Sequence, residues 1–236
     1  MPFPSLRTFL KRVEEHGFLQ HVNTIVTNKW LTTAISADLF EKGGSGYGAN
    51  PKAVMFDYLE AHQNMRTVSN LFGHVDLISL MMSSKRATIF DDYLEKVARP
   101  LPPQFFKDAP FLQNSYSGKQ VDIGKIVPVE TSAEKQTTPF LTLWSVIFED
   151  PEDHTYSLVI YRLQVKSKNH TGLLTIKGQR TFKVIEKYAK MKKPMPIALV
   201  NGPPPTVTLA SAMKAPSDVW KMDYAGALNG EGIDCI

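Results

Sequence analysis

Arg162 is the residue whose type and position first suggest chemistry. It falls inside residues 156–164, where apolar residues alternate with others, a pattern that predicts a half-buried β-strand. Arg stays charged at every working pH, and burial of an unpaired charge is very costly. Arg162 must therefore either pair with a carboxylate or phosphate or lie on the solvent-exposed face of the strand. The residues alone leave both alternatives open.

Cations are concentrated around this strand. Ten Lys or Arg residues stand between positions 162 and 193 against one acid, Glu186, although the whole chain carries a net charge of only +4. Most of them are expected on a solvated helix face. Clustered cations also bind phosphates, but no nucleic-acid motif or row of aromatic residues accompanies these. We expect a site for a small anion and no nucleic-acid partner.

The elements that must position Arg162 are those of an α+β chain. The second half predicts strands at 120–126, 140–148, 156–166, 172–177 and 196–200, with helices at 181–192, 206–213 and 219–228. Residues 99–110 contain four prolines, which favour a boundary. We therefore predict domains at 1–98 and 111–236, joined by a linker at 99–110.

Composition restricts the class of protein. The 236 residues are 43% hydrophobic, enough for one large or two small cores. No apolar run approaches the roughly 18 residues that span a bilayer, and the N-terminus lacks the layout of a signal peptide. The single cysteine, Cys235, suits a reducing interior. We expect a cytoplasmic protein with no membrane partner.

Five short motifs resemble the UbiD family, whose members decarboxylate aromatic and α,β-unsaturated acids with prenylated FMN. In the family's order, they are SLRTFL at 5–10, EEHG at 14–17, SNLFG at 69–73, YRLQ at 161–164 and DYAGALNGE at 223–231. The resemblance implies a small N-terminal α/β domain followed by a flavin-reductase-like split β-barrel with flanking helices. By the same resemblance, we expect a short form that lacks the family's C-terminal domain.

The resemblance also assigns roles to residues. Arg162 matches the catalytic arginine that holds the substrate carboxylate. The family's three metal ligands are an Asn, a His in the strand that follows and a Glu; these positions fall at Ser157, Arg180 and Lys221. The remaining positions matched to the flavin site are Ile160, Tyr161, Gln179 and Met213.

Replacement of the metal ligands changes the expected chemistry. Arg and Lys offer only donors, so they cannot bind a metal, but they bind phosphate directly. The six histidines show no i, i+4 or H-x-H spacing. We expect no metal, and FMN or prenylated FMN whose phosphate contacts Arg180 and Lys221. The alternatives are that no cofactor binds at all, or that the two cations only face solvent.

Three functions remain open. The first is a UbiD-like lyase acting on an unsaturated or aromatic acid, with a general acid among Glu149, Asp150, Glu152, Asp153 and Asp223. The second is a cofactor-free biosynthetic enzyme in which the cations stabilise an acidic small molecule during elimination, isomerisation or cyclisation. The third is a flavin carrier or accessory subunit. By the resemblance, the family's two catalytic glutamates and its last barrel strands fall beyond Ile236. A barrel that ends early leaves an open edge, which we expect a second copy or a partner subunit to cover.

Overall fold

The computed structural model describes residues 2–27, 29–44, 50–129, 131–216 and 219–236. The first helix, α1 (Leu6–Glu15), begins after an N-cap at Ser5, whose hydroxyl accepts a hydrogen bond from the Thr8 amide at 3.2 Å. Its apolar side buries Phe9 and Val13. Beside it lies a small sheet of β1 (Leu19–Val22), β2 (Ala53–Phe56) and β3 (Thr67–Ser69).

Strand β2 is the buried centre of this first sheet. It pairs in parallel with β1 and antiparallel with β3, and all four of its residues are buried. Helices α2 (Leu31–Lys42), α3 (Val75–Met81) and α4 (Ile89–Val97) complete the N-terminal part. Met82 and Ile89 share a core cluster with Leu228, near the opposite end of the chain.

The second sheet contains the strand that carries Arg162. Its order is β7 (His170–Leu173), β6 (Tyr156–Ser167), β5 (Phe140–Glu149) and β8 (Ala198–Val200), with every pair antiparallel. Side chains alternate across these strands, so each strand contributes to both faces.

Helices cover the two faces of the second sheet. Helix α6 (Arg180–Lys190) packs its Val184 against Val146 and Phe148 on one face. Helices α7 (Pro205–Ala212) and α8 (Lys221–Asn229) cover the other face, around Leu158. The α+β class is therefore confirmed.

The proline-rich segment packs against α8. Its strand β4 (Gln104–Phe105) pairs in parallel with β9 (Asp234–Cys235), and the Leu101 amide donates to the Asp223 carbonyl at 3.0 Å. A second long-range bond joins the Phe3 amide to the Asn229 side chain at 2.8 Å. Contacts thus cross the predicted linker, and the boundaries at 1–98, 99–110 and 111–236 stay a prediction.

Two predicted strands differ from the structure: the strand predicted at 172–177 ends at Leu173, since β7 is His170–Leu173, and the strand predicted at 120–126 is wrong. Residues 120–126 form the end of a 3₁₀ turn (Gly118–Gln120) and a short helix, α5 (Ile123–Ile126). The Asp122 carbonyl accepts the amides of Lys125 and Ile126, while the Ile123 amide donates to the Lys168 carbonyl. These bonds satisfy backbone groups that a strand would have left for a partner strand.

None of the helices in the described residues has the length and apolar character needed to span a membrane.

Candidate functional site

The candidate site lies along one edge of β6. Strand β5 covers the full length of one edge, but β7 pairs only with residues 163–167 on the other. In the described parts of the chain, residues 156–162 therefore have no strand on this side. Ser157 and Arg162 stand at the two ends of this open edge, roughly 17 Å apart at the usual rise of a strand.

Arg180 lies at the Ser157 end. The resemblance matched Arg180 to a histidine in a strand, but the structure places Arg180 at the start of α6. The exposed Gln179 is the N-cap of this helix. The Arg180 Nε donates to the Ser157 hydroxyl at 2.7 Å, which brings two of the family's three metal-ligand positions into direct contact.

The β5–β6 turn holds the Arg180 guanidinium from behind. A terminal nitrogen of Arg180 donates to the Thr155 hydroxyl, which in turn donates to the Asp153 carboxylate. The hydrogen bonds from Thr155 lower the pKa of Asp153, and the positive charge of Arg180 lowers it further. The guanidinium is thus fixed by two hydroxyls and a nearby carboxylate.

Lys221 belongs to the helix that covers the opposite face of the sheet. It begins α8, and its Nζ donates to the Ser211 carbonyl at 3.2 Å. The neighbouring Trp220 ring lies 5.3 Å from the Tyr156 ring, which places this helix start beside the first residue of β6. Burial lowers the pKa of Lys221, and among the described residues no carboxylate pairs with it. Burial of an ammonium without a counter-ion costs free energy, and a bound anion would offset that cost.

Arg162 occupies the other end of the edge. Its side chain is exposed, which fits the second of the two sequence alternatives. Its guanidinium lies 4.4 Å from the centre of the Phe140 ring, and no carboxylate of the described chain forms an ion pair with it.

The predicted site residues divide between the two faces of β6. On the α6 side, the Tyr161 hydroxyl donates to Thr181 at 2.8 Å, next to the Ser157–Arg180 pair. On the α7/α8 side, Ile160 pairs with Ser145, whose hydroxyl bonds that of Ser211. Met213 packs in the α7/α8 clusters. The open edge of β6 lies between these two faces, so both groups of side chains border it.

Four of the five proposed general acids are held by nearby side chains. Lys187 donates to both oxygens of the buried Asp150, at 2.8 and 2.7 Å, and lies 2.9 Å from Glu152. Glu149 bonds His154 at 2.6 Å, and Asp153 accepts from Thr155. Asp223 is different, because burial raises its pKa in the direction that a proton donor needs.

Sequence reasoning missed the role of Lys187. Its bonds to Asp150 and Glu152 raise its pKa and fasten α6 to the turn that also holds Arg180. The signal was the seven-residue spacing of Arg180 and Lys187, which puts both on one side of a helix.

The three residues that the resemblance matched to the family's metal ligands, Ser157, Arg180 and Lys221, do not suit a divalent metal. Ser157 offers a hydroxyl already bonded to Arg180, while Arg180 and Lys221 have no lone pair to give when charged. Among the residues that the structure describes, no group of three His, Cys, Asp or Glu side chains is arranged to hold a metal. A phosphate, by contrast, suits cationic side chains such as these, because they offer only hydrogen-bond donors.

Comparison with known proteins identifies the family. The sequence profile of UbiD, described as the 3-octaprenyl-4-hydroxybenzoate carboxy-lyase Rift-related domain, matches residues 104–236. The chain belongs to the UbiD family. The resemblance seen in the sequence is thereby confirmed.

Curated relatives match along nearly the whole chain. A phenolic acid decarboxylase of a Streptomyces species is 25% identical over 244 residues, covering 98% of this chain and 49% of the relative. The pyrrole-2-carboxylic acid decarboxylase of Pseudomonas aeruginosa is 24% identical, with 98% and 48% covered. This UbiD chain spans about half the length of the curated relatives it matches.

Solved structures share the fold. Vanillic acid decarboxylase of Sedimentibacter hydroxybenzoicus in its closed form superposes with a TM-score of 0.91 at 24% identity, over 99% of this chain and 50% of that one. An evolved dimeric form of the UbiD-class enzyme HmfF from Pelotomaculum thermopropionicum, in complex with prenylated FMN, gives 0.87 at 23% identity, over 98% and 52%. The mixed helix and strand architecture is therefore that of UbiD-class enzymes.

Proposed function

We propose that this UbiD-family chain is a lyase for an unsaturated or aromatic carboxylic acid. In this proposal Arg162 holds the substrate carboxylate, and Arg180 and Lys221 hold a flavin phosphate directly. The observation that carries it is the open edge of β6, with Arg180 bonded to Ser157 at one end, Arg162 at the other, and Lys221 at the start of α8 on the α7/α8 face. A separation of roughly 17 Å leaves room for two anionic groups at the ends of one elongated cofactor–substrate pair.

Direct charge pairing replaces the metal in this proposal. Arg180 is oriented by Ser157 and Thr155, and Lys221 is half-buried and has no carboxylate partner within the described chain. Phosphate would relieve the cost of burying the Lys221 charge, and a preoriented guanidinium loses little entropy on binding. FMN or prenylated FMN would then bind without a divalent ion.

The substrate end uses the exposed guanidinium of Arg162. An Arg in this setting binds a carboxylate through two parallel hydrogen bonds and so fixes the bond to be broken. The flavin, when bound, would supply an electron sink for the pair of electrons that carbon dioxide leaves behind. Asp223, with its raised pKa, is our candidate for the group that returns the proton.

The relatives support the class of substrate. The two curated relatives reported above are named phenolic acid decarboxylase and pyrrole-2-carboxylic acid decarboxylase. One solved relative is a dimeric form with prenylated FMN. We extend to this chain an acidic substrate, a flavin in a split-barrel pocket, and a second copy or partner subunit.

One observation favours the cofactor-free enzyme as the second candidate. Arg180 already donates to two hydroxyls, which reduces the donors it can offer a phosphate. In that case the edge of β6 would hold an acidic small molecule, and the cations would stabilise negative charge that develops on it.

Carbon dioxide release tests the proposal. The protein would be reconstituted with prenylated FMN in the presence of EDTA and given vanillate and pyrrole-2-carboxylate in turn. We expect release from at least one acid, and a loss of about 10²-fold or more in Arg162→Met if Arg162 orients the carboxylate. Lys183→Met, on the exposed side of α6, is the matched control and should keep wild-type activity. Equal rates in Arg162→Met and Lys183→Met would overturn the role of Arg162.

A further inference from the structure

Strand β5 contains a bulge directly opposite Arg162. Pairing runs without interruption from Glu149–Tyr156 to Trp144–Tyr161, and then resumes at Leu141–Leu163. Two residues of β5, Thr142 and Leu143, therefore face the single residue Arg162. Leu143 has a backbone φ of 60°, a conformation that residues other than glycine rarely adopt.

The extra residue reverses the alternation of β5. Beyond the bulge, Val146 and Phe148 point to the α6 face, so regular alternation would send Phe140 to that face too. Instead, Phe140 pairs with Gln164, which shares a face with Arg162, and residues directly opposite one another point to the same side. The bulge thus puts the Phe140 ring on the Arg162 face.

The ring and the guanidinium then meet. The Arg162 guanidinium lies 4.4 Å from the Phe140 centroid, close enough for a cation–π interaction. Arg162 has no carboxylate partner in the part of the chain that the structure describes, and its contact with the ring restrains this exposed side chain. A cation–π contact of this kind does not neutralise the guanidinium, whose charge stays available to an anion.

We infer that Phe140, brought to the Arg162 face by the Thr142–Leu143 bulge, is a positioning residue that holds the guanidinium ready for a carboxylate ligand. The inference rests on the proposed function for the identity of the ligand, but not for the contact itself. The strained Leu143 fits this role, because unusual backbone conformations are kept where the surroundings or the function demand them.

The alternative is a purely structural bulge. The same change of alternation turns Leu141 to the buried face, where it is 3% exposed. A bulge that only buried Leu141 would leave the binding of carboxylates insensitive to the ring at position 140.

Two measurements separate these cases. The first needs no ligand: the NMR signal of the Arg162 Nε–H group should show the ring-current shift of Phe140 and restricted motion. Phe140→Leu should abolish both, Phe140→Trp should keep them, and Leu143→Gly should keep them because glycine accepts the positive φ. An Arg162 signal unchanged in Phe140→Leu would overturn the inference.

The second measurement is the dissociation constant of vanillate for the full chain. Loss of the cation–π contact in Phe140→Leu should weaken binding by about two- to five-fold, with Phe140→Trp equal to or tighter than wild type. Leu143→Gly should bind as wild type does. Equal weakening in the Leu and Trp variants would show a packing role and sink the inference. Failure of the wild type to bind vanillate would count against the proposed function, and the ligand-free signal would then decide the role of Phe140.

Discussion

Substitution of Gly226 by Ala tests how the proline-rich segment packs on α8. A Cβ at this position would collide with the Leu101 carbonyl oxygen and would lie 3.2 Å from the Glu231 carbonyl oxygen and 3.3 Å from the Gly232 Cα. All three are backbone atoms, so none can turn away as a flexible side chain would. Overpacking of this kind costs about 1–3 kcal/mol.

Helix propensity acts in the opposite direction. Replacement of Gly by Ala within a helix stabilises by about 1 kcal/mol when the methyl group has room. Because backbone contacts close Gly226 in, we expect the upper part of the steric range to apply. The net result is a loss of about 2 kcal/mol in the free energy of unfolding, or a fall in Tm of about 4–8 °C.

Gly124 of α5 provides the matched control. A Cβ there would approach only the Asp122 carboxylate, at 3.8 Å, which is an ordinary contact. Gly124→Ala should therefore leave the stability unchanged or raise it by up to about 1 kcal/mol. Both variants would be unfolded with urea. A Gly226→Ala protein as stable as Gly124→Ala would refute the close packing of the proline-rich segment on α8.

Three further predictions concern the charged groups around β6. Lys187→Met should destabilise the protein more than Lys183→Met does in urea unfolding, because it leaves the buried Asp150 carboxylate without its partner. Asp153 has a lowered pKa, so its contribution to stability is present above the unfolded pKa of about 3.9 and is lost as the pH falls; Thr155→Val should flatten that part of the stability–pH profile. Burial lowers the pKa of Lys221, so the wild type should gain stability as the pH rises from that lowered pKa towards about 10.5. Lys221→Met should remove this gain. The same variant should raise Tm at neutral pH in the absence of ligand, because no charge is then buried. An unchanged alkaline profile in Lys221→Met would show that this ammonium is not desolvated.

Strand β6 and its helices were predictable because their patterns are local. Alternation over 156–164 identified the strand, and a helical period identified α6 to within two residues at each end. The odd spacing of Ser157 and Arg162 also implies that they point to opposite faces of a regular strand. The open edge between them, on which the proposed function depends, follows from the pairing of β7 and could not be predicted from the sequence.

The bulge at Leu143 could not be predicted from its residues. A glycine or asparagine usually marks a position with positive φ, but the sequence here reads Leu-Thr-Leu-Trp and suggests an uninterrupted strand. The face of Phe140 follows from the register, and the register depends on the partner strand.

The long-range polar contacts could not be predicted from the sequence either. The pairs Arg180–Ser157 and Lys187–Asp150 depend on how α6 crosses the β5–β6 hairpin, a matter of tertiary packing. The proline-rich segment was predicted as a linker because proline removes donors, yet its remaining amides bond to Asp223 and to the last strand. The family resemblance, rather than periodicity, drew attention to Arg180 and Lys221.

The central claim is that this UbiD chain holds a flavin phosphate through Arg180 and Lys221 without a divalent metal. Its most direct test is the flavin content, by absorbance and native mass, of protein purified in EDTA from a host that makes prenylated FMN. The account predicts close to one flavin per chain in the wild type and in Lys183→Met, and loss of the flavin in Lys221→Glu. A wild-type protein that carries no flavin, and that still refuses FMN added in excess, would contradict it.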